Sequence, residues 1–183
     1  NPTVSAVSSK EVFLNASGLA VVTTSELVSS SGDNCGVDVT LSQYVFSCAD
    51  LSDPLVTLTA VDPSGNQATD SVVVNVTDVV DPMFDVVMPF TVALNSSGLI
   101  TIVVSDVMEN MTDNCLSVTP GLNVTLFSCM DVGSNVVMGS LVDGSGNEIS
   151  KTTVVTVSDD ENPTVSAVSS KEVFLNASGL AVV

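Results

Sequence analysis

The 183-residue chain sets 21 acidic side chains against three lysines, Lys10, Lys151 and Lys171, for a net charge of −18. A nucleic-acid or anionic-membrane binder needs clustered Lys and Arg, so both classes are excluded. His is absent, which removes Ser-His-Asp and Cys-His catalysis, and no apolar run is long enough to span a bilayer. The chain is rich in Val, Ser and Thr, residues that suit a pleated, half-buried surface. In chain order, alternating apolar residues predict a strand over 3–15, ended by the turn Asn15-Ala16-Ser17-Gly18. Residues 19–24 predict a second strand, and 27–36, rich in Ser, Gly, Asp and Asn, a loop. Further strands follow at 37–41 and 44–48, then the clean period-two run LVTLTAV over 55–61. Asp62-Pro63-Ser64-Gly65-Asn66 is a turn, and 71–76 the last strand.

The same landmarks then return. Asn15-Ala16-Ser17-Gly18 recurs as Asn95-Ser96-Ser97-Gly98, and Asp33-Asn34-Cys35 as Asp113-Asn114-Cys115. Phe46-Ser47-Cys48 recurs as Phe127-Ser128-Cys129, and the Asp62–Asn66 turn as Asp143-Gly144-Ser145-Gly146-Asn147. Residues 162–183 repeat residues 1–22 without a single change, so two unlike units make one period of 161 residues. The organisation read from this is repeat A over 1–80, repeat B over 81–161, and the start of another copy of repeat A over 162–183. Six or seven short strands per unit, with no helical periodicity, predict an all-β fold: tandem immunoglobulin-like β-sandwich domains in an elongated array. Residues 162–183 are too few for a sandwich. The expectation is that the array continues beyond them; the alternative is that they complete a sheet in a neighbouring molecule by strand addition.

Each unit holds two cysteines, Cys35 and Cys48 in repeat A, Cys115 and Cys129 in repeat B. An even count in so small a repeat predicts local Cys35–Cys48 and Cys115–Cys129 disulfides and an oxidising compartment. The competing thiolate metal site needs CxxC pairs or His, and neither is present.

The run SGDNCGVDVTLSQYVFSCADL, followed by VTLTAVDPSGNQATDSVVVNVTD, resembles the hyalin-repeat family of immunoglobulin-like domains. The residues that carry the likeness are Asp33, Asn34, Cys35, Phe46, Cys48, Thr59, Ala60, Asp62, Gly65, Asn66 and the valine-rich strand to Val76. Repeat B keeps the pattern but replaces Thr-Ala by Ser140-Leu141. The resemblance implies an extracellular module, found in tandem in adhesive or matrix proteins, without enzyme activity.

Asn-x-Ser/Thr sequons stand at Asn15, Asn75, Asn95, Asn110, Asn123 and Asn176. A chain this rich in Ser and Thr carries some by chance. Asn15 and Asn95 occupy the same turn of both units, however, and an apolar, lightly charged surface gains solubility from sugar. N-linked glycans are therefore expected. Acidic residues gather at the unit junctions: Asp78 and Asp81 at the first, Asp159, Asp160, Glu161 and Asn162 at the second. Hard oxygen ligands there suit calcium, although turns favour Asp and Asn on their own account. No cofactor is required by anything else in the sequence.

Three functions fit these observations. The first is the structural repeat of a secreted, glycosylated filament or surface fibre, whose partners are further copies of itself. The others are an adhesion module for a receptor or glycan, and a spacer in a larger secreted protein. Exact repetition favours the first, because mechanical regularity gains from identity and recognition from difference. Tyr44, the single Tyr, gives the adhesive reading little support.

Overall fold

The computed structural model describes residues 1–181. It is all-β, two immunoglobulin-like sandwiches in tandem. Repeat A contains β1 (Thr3–Ala6), β2 (Lys10–Phe13), β3 (Leu19–Val21), the one-turn helix α1 (Thr24–Leu27), β4 (Val28–Gly32), β5 (Asp38–Leu41), β6 (Val45–Ser47), β7 (Leu55–Val61) and β8 (Gln67–Thr77). One layer is the sheet β2-β8-β7-β5, antiparallel except for the parallel β2–β8 pair. The pairs β1–β4 and β3–β6 complete the unit. Repeat B repeats the plan with β9 (Met83–Val86), β10 (Phe90–Ala93), β11 (Leu99–Thr101), α2 (Val104–Val107), β12 (Met108–Thr112), β13 (Val118–Leu122), β14 (Leu126–Ser128), β15 (Gly133–Asp143) and β16 (Glu148–Ser158). Its pairs are β10-β16-β15-β13, β9–β12 and β11–β14, with β10 and β16 again parallel.

The strand read over 3–15 is two strands. β1 pairs with β4, and beyond Val7–Ser9 the chain changes partner so that β2 pairs with β8. The loop expected over 27–36 contains the end of α1 and all of β4. That strand reads Val-Ser-Ser-Ser-Gly and is mostly exposed, so it carries no apolar alternation to betray it. It forms because β1 offers it an unpaired edge.

Each sandwich closes over its own core. Phe46, Leu27, Val56, Leu58 and Val74 are completely buried in repeat A. Phe84, Phe127, Ile102, Val137, Leu141 and Val155 fill repeat B. Volume is exchanged between equivalent sites. Repeat A has Leu58 where repeat B has Gly139, and a Cβ on Gly139 would stand 2.8 Å from the Met108 sulfur. Met108 occupies that space, whereas repeat A has the smaller Val28 at the corresponding place.

Residues 162–181 are exposed throughout and form no strand. Their turn is nonetheless built. Asn176 Oδ1 accepts from the N–H groups of Ser178 and Leu180 at 2.9 and 3.0 Å, as Asn15 Oδ1 does from Ser17 and Leu19 at 2.8 and 3.3 Å. Gly179 and Gly18 share φ values of +74° and +70°. Turn chemistry is local and forms alone; strands need partners.

Candidate functional site at the repeat junction

β9 and β10 carry the chain from one end of repeat B to the other, and β16, parallel to β10, leaves at that far end. Each repeat thus has an end face where the chain enters and one where it leaves. The exit face of repeat A meets the entry face of repeat B, and the polar landmarks of the sequence converge there.

The disulfide pairing is the main correction. Cys48 bonds Cys115 across the junction, with Cα atoms 5.5 Å apart and a sequence separation of 67. Cys35 and Cys129 are exposed thiols, so neither the Cys35–Cys48 nor the Cys115–Cys129 pair exists. The physical reason lies in the path between them. β5 pairs with β7, and β6 pairs with β3, so residues 35–48 cross the sandwich once instead of folding back as a hairpin. The two cysteines of a repeat lie on opposite end faces. A spacing of 12 or 13 intervening residues does not distinguish a crossing from a hairpin.

Hydrogen bonds surround the disulfide. Asn114 Nδ2 donates to the Asn15 carbonyl at 3.2 Å and to Asp78 Oδ1 at 2.9 Å. Asn147 Nδ2 reaches the linker carbonyls of Asp78 and Val80 at 3.2 and 3.4 Å. The Asp143 carboxylate holds that amide, accepting from its Nδ2 at 2.7 Å and from its backbone N–H at 2.8 Å. Burial opposes ionisation of Asp143, but the Asn147 amide and the turn N–H groups outweigh it and lower its pKa. Gly18 lets the faces close. A Cβ there would lie 2.9 Å from the Asn114 carbonyl oxygen and 3.0 Å from Cys48 Sγ.

Three acceptor atoms at this junction are buried without a hydrogen-bond partner: Asp78 Oδ2, Asp113 Oδ1 and Asn114 Oδ1. Asp78 is only 3% exposed, and its ligand atom and that of Asp113 lie within 4.8 Å of each other. Cys115 falls in the same cluster, but its sulfur is in the disulfide and is no thiolate ligand. No side-chain cation balances these carboxylates among the described residues. Lys10 pairs with Glu26 at 2.9 Å, Lys151 lies over the Phe84 ring and donates to the Phe84 carbonyl, and Lys171 is in the exposed segment. Two close carboxylates, one buried and one half-buried, each with an orphaned oxygen, favour a bound cation, and oxygen-only donors suit a hard one.

Of the residues singled out for calcium, Asp78 alone lies in this cluster. Asp81 borders the adjoining cleft but is exposed. Asp159, Asp160, Glu161 and Asn162 are exposed at the exit face of repeat B. Asp113 and Asn114 were visible in the sequence only as landmarks, although a polar tripeptide repeated away from any apolar run was itself a signal. The carboxylates of Asp62 and Asp143 are saturated by their own turns and have no free oxygen to offer. All six sequon asparagines are exposed. The Tyr44 hydroxyl accepts from the Leu41 N–H at 3.0 Å, a bond internal to the fold.

No family model matches the chain, and no curated protein matches it in sequence. Solved structures with a similar fold include human mucin-like protocadherin EC1-2, at 15% identity and a TM-score of 0.43, covering 87% of this chain and 98% of that one. Sidekick-1 immunoglobulin domains 1–4 match at 10% identity and a TM-score of 0.48 over 86% of this chain and 48% of that one. An E-to-A variant of titin I67–I69 matches at 9% identity and 0.49 over 86% of this chain and 65% of that one.

Proposed function

We propose that the chain is a stretch of a secreted, N-glycosylated, non-catalytic structural filament built from hyalin-like immunoglobulin repeats. The observation that carries this reading is the junction. Its disulfide, its asparagine bridges and its close glycine contact fix one repeat on the next, as a load-bearing rod requires and a flexible spacer does not. The 161-residue identity supports many equivalent copies, and a head-to-tail contact that does not close on itself gives a filament. Sugar on the exposed Asn15, Asn75, Asn95, Asn110, Asn123 and Asn176 would cover apolar side chains such as Phe13, Val21 and Leu55 that the sandwiches leave in solvent.

Electron microscopy of the native material tests it. Unbranched filaments with an axial repeat of two domains, roughly 70–90 Å from strand rise and turns, and density at the sequons are expected. Isolated short rods with bare asparagines refute it.

The junction also takes a calcium ion, held by Asp78, Asp113 and the Asn114 amide oxygen. Thermal unfolding with calcium and with chelator tests this. A ligand at 100 times its Kd stabilises by about 2.7 kcal/mol; identical melting in both refutes the site.

A further inference from the structure

The junction between repeats A and B uses one end face of each. The remaining two faces are copies of these. On repeat A, Asp33-Asn34-Cys35 is the same tripeptide as Asp113-Asn114-Cys115, in the same local conformation. The Cys35 N–H donates to Asp33 Oδ2 at 2.9 Å, as that of Cys115 donates to Asp113 Oδ2 at 2.8 Å. On repeat B, Cys129 Sγ lies 3.8 Å from the Gly98 carbonyl oxygen, as Cys48 Sγ lies 3.9 Å from that of Gly18. Gly98 and Gly18 have φ values of +71° and +70°, and Asn95 caps its turn as Asn15 does. A Cβ on Gly98 would stand 2.7 Å from Cys129 Sγ. Around Cys129 is an open cleft of about 450 Å³ lined by Asn95, Gly98, Asp159 and Asn162. In repeat A the corresponding turn, Asn15–Gly18, is covered by Asn114. Finally, Cys35 in a copy displaced by the 161-residue period falls 67 residues beyond Cys129, the separation of the bonded pair Cys48–Cys115.

We propose that the exit face of repeat B docks a second copy of repeat A, the copy that opens with residues 162–183, and that Cys129 bonds Cys35 of that copy. Together with Cys48–Cys115 this makes one disulfide at every junction. This rests on the reading of the chain as a structural repeat and gives that reading its covalent partner. In the docked pair Asn34 takes the place of Asn114 and donates to the Asn95 carbonyl and to Asp159, which stands for Asp78. Asn66 takes the place of Asn147 and donates to the backbone carbonyls of Asp159 and Glu161. The missing Cβ of Gly98 leaves room for the Asn34 carbonyl. Closing the bond removes two protons and two electrons from the two thiols. A small-molecule disulfide of the oxidised-glutathione class accepts the electrons: one thiolate displaces one of its halves, the second thiolate displaces the other, and two small thiols leave. Strain along the array is then shared at each junction by the linker and a parallel covalent bridge.

Disulfide mapping of the native protein tests the proposal. Free thiols are alkylated at acid pH, the unreduced protein is digested, and linked peptides are identified by mass spectrometry. Cys48–Cys115 and Cys129–Cys35 peptides in equal yield are expected, with alkylated Cys35 and Cys129 only at the ends of arrays. Cys35 and Cys129 recovered mainly alkylated, Cys35 joined to Cys48, or Cys129 joined to Cys129 would each overturn it. Microscopy separates this result from the filament reading. Filaments without the Cys129–Cys35 bond remove the second staple alone, and the bond in material without axial order removes the filament alone.

Discussion

Replacing Gly18 by Ala separates the energy of the junction from that of the turn. Gly18 and Gly65 are both left-handed, with φ of +70° and +85°, so an Ala at either position costs about 1–2 kcal/mol of backbone strain. At Gly65 a Cβ meets nothing within 4 Å, and the strain is the whole effect. At Gly18 the same Cβ stands 2.9 Å from the Asn114 carbonyl oxygen, well inside the 3.5–4.0 Å or so at which dispersion contact is optimal. The neighbour is backbone on the opposite repeat, so the interface itself must open. That weakens the Asn114–Asn15 hydrogen bond, worth about 1 kcal/mol, and the charge-assisted bond to Asp78, worth about 1.5–3 kcal/mol. Gly18→Ala should therefore cost about 2.5–4 kcal/mol more than the strain alone if both bonds fail. For domains of this size each kcal/mol lowers Tm by roughly 4–8 °C. The assay is denaturant and thermal unfolding of both variants beside the parent chain, with the rate of reduction of the Cys48–Cys115 bond as a local probe. If Gly18→Ala is no worse than Gly65→Ala, the faces do not meet as described.

Three further perturbations follow from the same geometry. Cys115→Ser opens a loop of 67 residues and should cost about 4 kcal/mol in the chain-entropy model; it should expose Cys48 to alkylation, whereas a local pairing would expose Cys129. Asp78→Asn should abolish any calcium-dependent rise in Tm while leaving the chelated Tm close to that of the parent, and a surviving calcium response would place the ion elsewhere. Glu26 is held down to about 2 by the Lys10 ammonium and by the Thr23 N–H and hydroxyl. Because its folded pKa is depressed, its contribution is complete above the ordinary value of 4.5 and is lost as pH falls toward about 2. Glu26→Gln should flatten the acid limb of the stability profile in that window, and an unchanged slope between pH 4.5 and 2 would refute the pairing.

How much of this could be read in the sequence depends on the range of the interaction. β7 appears where its alternation places it, because LVTLTAV has one face on the core and one outside. The turns at Asn15, Asp62 and Asp143 are equally legible, and Asn176 shows that such a turn forms with no sandwich around it. β4 is illegible because a polar edge strand owes its existence to β1 and not to its own pattern. The disulfide partners are illegible because a 12-residue interval carries no direction. The intervals between successive cysteines, short within a repeat and long between repeats, give no preference until it is known that the short one crosses the sandwich. Asp78 is legible as a candidate ligand and Asp113 is not, since the first sits in an evident linker and the second in a loop whose contact is with another domain.

The distribution of identity between the repeats has a physical cause. Several core residues are exchanged, Leu58 for Gly139, Val28 for Met108 and Ala60 for Leu141, while Phe46 and Phe127, Val56 and Val137, and Val74 and Val155 stay the same. A core answers only to itself, and any combination that fills the volume in good rotamers serves. The end faces are under a different constraint. In an alternating array the exit face of A must fit the entry face of B, and the exit face of B must fit the entry face of A. A change on one face needs a matching change on a different domain, so both junctions hold to one solution. Asn-x-Ser-Gly, Asp-Asn-Cys, Ser-Cys and the closing Asp and Asn of the last turn are that solution, and the two repeats share them. The aligned polar and cysteine landmarks that first marked the chain as repetitive therefore describe the contact between its units as well as the turns within them.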